Sequence, residues 1–366
     1  MALAFNRLTI KEKRRETADS VSLAFDVPAE LRSAYRFKQG QFLILRAPVD
    51  GQEQRRSYSI CVGLADYERT GELRVGIKRV AGGRFSNWAN DQLDAGESVD
   101  VMTPDGRFFT PLNPDNAKHY VGFAGGSGIT PMLSLIKTTL ATEPDSGFTL
   151  IYGNRTVGSI MFIEDLEDLK NRYLGRLRLY HVLSDEPQEI GLFSGLLDAA
   201  KCRAFLDQLV SADSIDEAFI CGPEPMMAAA EQSLLQARVP AERIHVERFG
   251  TPAPASAPAR PASVGRAGAD AGPLADVTII ADGKERRLKL GRNDIGILDA
   301  GLAAGIDLPY ACKGGVCCSC RAKVLEGEVK MDKNYTLEDW EIERGFVLTC
   351  QSHPVTDRVV VSYDER

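Results

Sequence analysis

The chain has 366 residues, 26% of them charged and 44% hydrophobic, and a formal net charge of -7 at pH 7. This length exceeds one ordinary domain and predicts two or three modules. The lysines and arginines are scattered, which argues against nucleic acid or an anionic membrane as a partner. The chain has neither a run of 18 apolar residues nor an apolar leader after Met1, so we expect a cytoplasmic protein.

Residues 1–112 carry short alternating apolar runs separated by turn residues. This pattern predicts an antiparallel β-barrel. The predicted strands are Val21–Val27, Gln41–Arg46, Arg56–Val62, Leu73–Val80 and Ser98–Met102.

Two stretches of this region suggest chemistry. In a strand, Arg56 and Tyr58 share one face and Ser57 and Ser59 the other, which offers a flavin a guanidinium, a ring and hydroxyls. An ordinary strand is the alternative, since Tyr and Ser are common there. The stretch from Gly82 to Ser86 predicts a glycine turn and a helix start, whose free N–H groups could hold a pyrophosphate. Its alternative is a plain turn with Ser86 as the helix N-cap.

Residues 113–250 alternate between predicted strands and helices, which indicates an α/β domain with a parallel sheet. The first strand leads into a glycine turn and a proline-opened helix, which suggests a dinucleotide phosphate loop although the spacing is not G-x-G-x-x-G. The residues proposed for this loop are Gly125, Gly126, Gly128, Thr130 and Pro131. A later strand ends in Cys221-Gly222-Pro223, at the edge where such sheets bind ligands. A small buried hydrophobe is the alternative for Cys221.

The further elements predicted in this α/β domain are the strands Phe148–Tyr152, Leu177–Val182 and Ala218–Cys221 and the helices Ile163–Asn171, Cys202–Val210 and Glu224–Ala237.

Residues 251–273 are rich in alanine and proline and predict a linker. In residues 274–366 we expect an α+β domain. It begins with a hairpin of Val277–Ala281 and Arg286–Leu290 about Asp282-Gly283, continues with a helix over Asn293–Ala304 and a cysteine loop, and closes with a strand over Val359–Tyr363.

Four cysteines follow the plant-type 2Fe-2S spacing. Cys312, Cys317 and Cys320 form a C-x4-C-x2-C array, and Cys350 follows after 29 further residues. Zinc is the alternative, but zinc sites usually bring two short-spaced pairs. Cys318 is surplus and is interpreted as a bystander thiol.

Together these motifs, in this order, resemble the ferredoxin-NADP reductase superfamily followed by a plant-type ferredoxin of the β-grasp fold. The order of modules resembles the reductase subunits of multicomponent oxygenases. Among these, the cysteine loop and the C-terminal tail are most similar to the reductases of phenylacetyl-CoA epoxidases.

The resemblance implies roles for the flavin-side residues. Tyr58 would stack on the isoalloxazine, Ser59 would reach its reactive nitrogen, and Arg56 would meet the pyrophosphate with Gly83 and Ser86. A pyrophosphate loop implies FAD rather than FMN. The resemblance likewise places Ser57 at the flavin, the Cys221 motif at the nicotinamide, and Phe249 among the cofactor-binding residues.

The coenzyme expected is NADPH, with NADH less favoured. Arg155 follows the second strand of the α/β domain and could meet a 2′-phosphate, and no acidic residue ends that strand. Relatives are expected to carry an arginine after the glycine at position 195, where this chain has Leu196. Because leucine cannot bind a phosphate, NADH stays a possible coenzyme.

The implied path takes electrons from NADPH through FAD and the 2Fe-2S cluster to a protein acceptor, the subunits of a di-iron oxygenase. Two alternatives stay open: a reductase for a ring or steroid hydroxylase, and a noncatalytic electron carrier or redox sensor.

Overall fold

The computed structural model describes residues 5–249 and 273–365. The chain divides into two compact units, one ending at Arg248 and the other beginning at Phe249. The predicted linker at 251–273 lies outside the described residues except for Pro273. Within the described ranges, none of the helices has the length and apolar character needed to cross a membrane.

The first unit begins with a six-stranded antiparallel sheet, as the alternating pattern predicts. Its strands are β1 Phe5–Thr17, β2 Ser20–Asp26, β3 Phe42–Val49, β4 Gln52–Ser59, β5 Glu72–Lys78 and β6 Ser98–Met102, in the spatial order β4-β3-β6-β1-β2-β5. A bridge between Ile60 and Val75 brings the two edge strands together at one end, so the sheet curls into a barrel around an apolar core.

Strand β1 was not predicted. Its alternation is broken by register shifts after Ile10 and Arg15, which hides the strand in the sequence. Two helices, α1 Leu64–Thr70 and α2 Arg84–Asp91, pack against the barrel.

The alternative role of Ser86 as a helix N-cap is wrong. Gly83 caps α2, and Ser86 lies inside the first turn. The Ser86 hydroxyl instead accepts a hydrogen bond from Val80 N at 3.1 Å and closes the turn in front of the helix.

The second half of this unit is a five-stranded parallel sheet. Its strands are β7 His119–Gly125, β8 Gly147–Asn154, β9 Leu177–Leu183, β10 Glu217–Cys221 and β11 Ile244–Glu247, in the spatial order β11-β10-β7-β8-β9. The direction in which successive strands are added to the sheet reverses at β7. Strands β8 and β9 lie on one side of it, and β10 and β11 lie on the other. Ligands of such sheets bind at the carboxyl ends of strands at this reversal.

Four helices connect these strands: α3 Ile129–Thr142, α4 Ile163–Arg172, α5 Ala199–Gln208 and α6 Glu224–Gln236. Helix α5 starts three residues before the predicted helix over 202–210. The Asp198 carboxylate caps its first turn by accepting a hydrogen bond from Lys201 N at 2.9 Å.

The barrel and the parallel sheet pack directly on each other. A Cβ on Gly76 of β5 would lie 2.7 Å from the Thr130 methyl and 3.0 Å from the Phe162 ring. A larger residue at position 76 would push the two halves apart, so glycine sets their spacing at this point.

The second unit has an α+β fold around a five-stranded mixed sheet. The strands are β12 Leu274–Ala281, β13 Lys284–Gly291, β14 Arg321–Glu326, β16 Phe346–Leu348 and β18 Arg358–Ser362, in the order β13-β12-β18-β14-β16. A small sheet pairs β15 Val329–Met331 with β17 Ser352–Pro354, and the helices are α7 Ile297–Ala303 and α8 Asp339–Glu343.

The predicted hairpin is confirmed, with Asp282 and Gly283 both at positive φ, as a tight two-residue turn requires. The predicted helix over 293–304 is shorter, because Gly296 caps it. The last strand, β18, lies in the middle of the sheet and runs parallel to β12.

Candidate redox centres

Strand β4 presents the predicted flavin motif. Its residues alternate: Arg55 and Ser59 are buried, Ser57 is half-buried on the same face, and Arg56 and Tyr58 are half-buried on the other. The Tyr58 ring packs against buried Phe85 of α2 at 5.7 Å between centroids, which fixes its orientation. Burial raises the pKa of Tyr58, so the phenol stays neutral at physiological pH.

Arg56 is held in place by its own strand. Its guanidinium donates to Arg55 O at 2.7 Å and to the Gln54 side-chain oxygen at 3.3 Å. A planar cation and a planar ring thus stand two residues apart on one face, an arrangement that fits an anionic, planar ligand.

Gly82, in the turn before α2, has open space beside its backbone. Gly82 has a φ of +71°, and a Cβ placed there would meet nothing within 4 Å. The first N–H groups of α2 have no partner within the helix, and the positive end of its dipole favours a phosphate. The residues present therefore fit the pyrophosphate of FAD.

The nucleotide crevice is formed by two loops in backbone contact. A Cβ on Gly128, after β7, would lie 2.0 Å from the carbonyl oxygen of Cys221, the last residue of β10. On Gly125 it would lie 2.7 Å from the Pro223 ring, and on Gly222 it would lie 2.9 Å from Gly125 N. Glycine is required here so that the two loops can approach each other. The predicted residues of both motifs are thereby brought together.

The glycine loop is also fixed from within. The Tyr152 hydroxyl donates to Gly126 O at 2.8 Å, and the buried Thr130 hydroxyl donates to Ser127 O at 3.0 Å. Pro131 is buried in the first turn of α3. The loop is thus preorganised, with the Thr130 hydroxyl engaged inside it.

Cys221 is fully buried at the carboxyl end of β10, opposite Glu247 of β11. Burial, together with the Glu247 charge, raises the pKa of the Cys221 thiol well above its ordinary value. Burial also raises the pKa of Glu247 to about 8. Cys221 is therefore a neutral packing surface at the crevice, and its thiol is poorly suited to act as a nucleophile.

Three charged side chains near this crevice come from separate elements. Arg155 is mostly exposed, and its guanidinium lies 3.7 Å from the Asp19 carboxylate in the β1–β2 turn. Lys78 Nζ lies 3.7 Å from the same carboxylate and 3.8 Å from where a Cβ on Gly126 would be. Lys78 and Asp19 were missed, because only the packing of the two halves brings them to Arg155.

An acidic residue also stands beside Arg155. Asp185 N donates to Arg155 O at 2.8 Å, so the end of β9 is next to the end of β8. The sequence offered no acidic residue at the end of β8 itself, and the neighbouring strand supplies one. Leu196 is strongly exposed, and Phe249 is partly exposed at the end of the first described range.

The four predicted cluster cysteines come together from two segments of the second unit. Cys312, Cys317 and Cys320 lie in the loop between α7 and β14, and Cys350 lies in the turn after β16. Thr349 joins the segments: its hydroxyl donates to Cys320 O at 2.8 Å and contacts the Tyr363 hydroxyl at 2.6 Å.

The thiols are arranged as two pairs. A hydrogen bond from Cys317, with backbone N–H groups of Gly314 and Val316, lowers the pKa of Cys312 to about 6. Likewise a hydrogen bond from Cys320 lowers the pKa of Cys350. In the described part of the chain no three His, Cys, Asp or Glu side chains form a group that could hold one metal ion. Two thiol pairs fit two irons better than a single zinc.

The cysteine loop winds tightly around this site. Lys313 and Cys318 adopt positive φ, which is unusual for residues with side chains, and Gly315 does so as well. The left-handed turns aim N–H groups inward, so that Gly314 N donates to the Cys312 sulfur at 3.2 Å. Such donors stabilise a sulfur-rich cluster. Cys61 and Cys202 are buried and form no disulfide, and the Cys318 sulfur lies 3.2 Å from the Thr336 hydroxyl.

Three family models match successive parts of the chain: an oxidoreductase FAD-binding domain over residues 7–110, an oxidoreductase NAD-binding domain over 123–232, and a 2Fe-2S iron-sulfur cluster binding domain over 279–355.

Two curated relatives match almost end to end. One of the subunits of the 1,2-phenylacetyl-CoA epoxidase of Escherichia coli (strain K12) is 44% identical over 99% of this chain and 98% of its own. The ferredoxin reductase component of 3-ketosteroid-9-alpha-monooxygenase from Rhodococcus rhodochrous is 36% identical over 97% of this chain and 96% of its own length.

Among solved structures, phthalate dioxygenase reductase, described as a modular structure for electron transfer from pyridine nucleotides to 2Fe-2S, matches with a TM-score of 0.58. It covers 98% of both chains at 23% identity, which shows a shared fold.

Proposed function

Because this chain belongs to the ferredoxin-NADP reductase superfamily and, within it, to the FAD- and 2Fe-2S-containing reductase components of oxygenases, we propose that it is the reductase subunit of a phenylacetyl-CoA epoxidase. In this role it would pass electrons from NADPH to the di-iron oxygenase subunits. The 44% identity over nearly the whole of both chains carries this assignment. Family membership makes the chain an oxidoreductase and removes the noncatalytic carrier as an alternative.

When bound, FAD and the 2Fe-2S cluster together convert the two-electron hydride of a nicotinamide into single electrons. The chain's own residues position these groups. We propose module boundaries at 1–112 for the FAD domain, 113–250 for the nucleotide domain, 251–273 for the linker and 274–366 for the cluster domain.

On the flavin side, Tyr58 and Ser59 would face the ring system, with Ser57 beside them. Arg56, Gly83 and Ser86 would serve the pyrophosphate. The support is the fixed Tyr58 ring and the open backbone at the start of α2.

For the nucleotide, the crevice between the two glycine loops is the candidate site, with Cys221, Gly222, Pro223 and Phe249 toward the nicotinamide. Arg155 would meet a 2′-phosphate, which favours NADPH. The neighbouring Asp185 suits a ribose hydroxyl and keeps NADH as the second candidate.

For the cluster, the thiol pairing suggests that Cys312 and Cys317 hold one iron and that Cys320 and Cys350 hold the other. The inward N–H groups of the loop would hydrogen-bond to the cluster sulfurs.

The decisive experiment reconstitutes epoxidation of phenylacetyl-CoA from purified epoxidase oxygenase subunits, this protein and NADPH. Product formation that requires this protein supports the proposal. Failure with these subunits, together with turnover of a 3-ketosteroid hydroxylase, would assign the chain to the second candidate, which the 36% identical relative supports.

Replacing one cluster ligand tests the relay. In Cys317→Ser we expect NADPH to reduce the flavin as in the wild type, while cytochrome c reduction falls roughly a hundredfold or more, because electrons no longer leave through the cluster. Cys318→Ser is the matched control and should keep its cluster absorption. Unchanged cytochrome c reduction in Cys317→Ser would contradict the relay order.

A further inference from the structure

Three charged side chains meet where the barrel packs on the parallel-sheet half of the first unit: Arg14, Lys137 and Asp165, here called the junction cluster. The Arg14 guanidinium, on β1 of the barrel, lies 2.5 Å from one carboxylate oxygen of Asp165, on helix α4. Lys137 Nζ, on helix α3, lies 2.8 Å from the other oxygen. One carboxylate therefore joins the barrel to two helices of the sheet half.

The junction cluster is more sheltered from water than an ordinary surface ion pair. The side chains of Lys137, Asp165 and Arg14 are 16%, 22% and 33% exposed. Glu16, which is almost fully buried, accepts from Arg14 Nε at 2.8 Å and orients the guanidinium. Burial by itself would raise the pKa of Asp165, but the cations beside it lower that pKa overall. The carboxylate is therefore ionised at neutral pH, and salt screens partly buried charges of this kind only weakly.

The junction cluster lies next to the closest contact between the nucleotide loop and the barrel. Gly76 of β5 packs against the Thr130 methyl and the Phe162 ring, so tightly that a Cβ at position 76 would lie 2.7 Å from the methyl. Phe162 is the N-cap of α4, and Asp165 follows it in the first turn of that helix. The carboxylate is thus one helical turn away from this contact.

The flavin motif is anchored at the same junction. Cys61, two residues after Ser59, is buried in the apolar core that includes the inner face of helix α3. Leu64 N, at the start of α1, donates to the Thr138 hydroxyl of α3 at 3.1 Å. The strand of the flavin motif and the helix that starts in the nucleotide loop therefore share one packed boundary, and Lys137 of the junction cluster lies on that helix.

Apolar packing and ionic hydrogen bonds contribute differently at such a boundary. Apolar contact is non-directional, whereas a charge-assisted hydrogen bond fixes direction as well as distance. Hydride transfer needs its two reacting atoms about 3–3.5 Å apart, and a misplacement of about 1 Å can cost on the order of a hundredfold in rate. A contact that fixes how the two halves meet therefore bears on this rate, although its residues lie outside both proposed cofactor sites.

We propose that Asp165 is a positioning residue for hydride transfer, and that through Arg14 and Lys137 it holds the flavin-binding barrel and the nucleotide-binding half at the spacing that the transfer needs. The step moves one hydride from the nicotinamide ring to the reactive nitrogen of the flavin, so the nicotinamide is oxidised and the flavin is reduced. Asp165 exchanges no proton with either ring. The inference rests on the proposed function for the reaction and on the described contacts for the residue.

Single-turnover reduction of the full-length holoprotein, followed by flavin absorption at varied NADPH concentration, separates the limiting rate from the dissociation constant of the coenzyme. In Asp165→Asn the limiting rate per bound FAD should fall roughly tenfold, while the dissociation constant for NADPH stays within about twofold of the wild type. The long-wavelength charge-transfer absorption of the reduced protein with NADP⁺ should weaken as well, which reports the stacking of the two rings without turnover.

Arg14→Gln removes the same contact from the barrel side and should slow the transfer in the same way. Because both changes remove one contact, the variant that combines Arg14→Gln with Asp165→Asn should be no slower than the slower single variant. Losses that add in the combined variant would contradict a shared role. If Asp165→Asn does not fold, Arg14→Gln alone decides by the same two readouts.

Asp100→Asn is the matched control. Asp100 is 30% exposed and pairs with Arg46 at 3.0 Å between two strands of the barrel itself. The change therefore removes a similarly sheltered carboxylate from an Arg–Asp pair within one half, and the limiting rate should stay as in the wild type.

The proposal is overturned if Asp165→Asn and Arg14→Gln keep the limiting rate and the charge-transfer absorption of Asp100→Asn. It is also overturned if these variants lose FAD or thermal stability while the limiting rate per bound FAD is unchanged, since that result shows a structural role alone. No oxygenase enters the assay, so a failure of the epoxidase assignment does not affect the outcome. A wild-type flavin that neither NADPH nor NADH reduces would overturn the proposed reaction together with this inference.

Discussion

The Asp19 carboxylate lies between two cations, Lys78 and Arg155. One of its oxygens lies 3.7 Å from both Lys78 Nζ and the Arg155 guanidinium, and the other accepts from the Thr17 hydroxyl at 2.8 Å. An internal anion in this position competes with any phosphate that approaches Arg155. A nucleotide without a 2′-phosphate depends less on that cation.

Replacing this carboxylate should therefore shift the coenzyme preference toward NADPH. In Asp19→Asn we expect the ratio of kcat/KM for NADPH to that for NADH to rise roughly fivefold, because a charge at this distance near the surface is worth about one order of magnitude or less. Steady-state ferricyanide reduction measures the ratio.

Glu68→Gln is a suitable control for this charge change. It removes an exposed carboxylate, paired with Arg36 at 2.9 Å, from helix α1 of the barrel. A ratio that is unchanged in Asp19→Asn, or equally changed in Glu68→Gln, would show that Asp19 does not act on the coenzyme.

Glu247 should make the stability of the first unit depend on pH. Burial raises its pKa from 4.5 to about 8, so the folded state holds a proton that the unfolded chain releases above about 4.5. Stability is then highest below that pH and is lost as the pH rises through 8. Thermal unfolding between pH 5 and pH 9 should show this loss.

Glu247→Gln should remove that component, with up to about 4 kcal/mol less loss of unfolding free energy than the wild type over the same range, because the folded and unfolded states differ in protonation over about three pH units of it. If the stability of the two proteins depends on pH in the same way, the Glu247 carboxylate ionises in the folded state without a loss of stability.

At the scale of elements, the crevice depends on two strand ends whose loops touch. Only glycine fits at position 128, because any Cβ there would lie 2.0 Å from the Cys221 carbonyl oxygen of a neighbouring strand. The same holds in reverse for Gly222 beside Gly125. The glycines of this loop are thus required by packing, whether or not the loop also holds the phosphate that we propose for it.

Gly128→Ala should destabilise the first unit by roughly 1–3 kcal/mol, because the loops must separate to admit a methyl group. Nucleotide affinity should fall with it, measured by titration with NADP⁺. Gly175→Ala is the control, since a Cβ there would meet nothing within 4 Å. Equal thermal unfolding of the two variants would contradict the close contact.

At the scale of the whole molecule, the two compact units separate the nucleotide-oxidising part from the cluster. The first unit has its own apolar cores in the barrel and on both faces of the parallel sheet. The second has one core around the mixed sheet. Each therefore has what independent folding requires.

A chain ending at residue 250 should fold, bind FAD and reduce ferricyanide with NADPH at about the wild-type rate, but lose most cytochrome c reduction. Flavin content by absorption and the two acceptor assays would decide. Insoluble protein, or soluble protein that does not retain FAD, would show that the second unit is needed to complete the first.

The sequence by itself determined the order of the modules, the parallel and antiparallel sheets, and the four cysteines that come together. The sheets are encoded by periodicity, the order of modules by the order of the motifs, and the cysteines by three thiols at fixed spacing in one loop and a fourth after 29 further residues. It did not yield β1, whose register shifts hide its alternation, or the Gly83 cap, since Ser86 is the commoner capping residue. Only the tertiary structure decided how the thiols pair, that β18 lies in the middle of its sheet, and that Asp19, Lys78 and Asp185 stand around Arg155. These contacts join segments far apart along the chain, and local pattern carries no information about the path that brings them together.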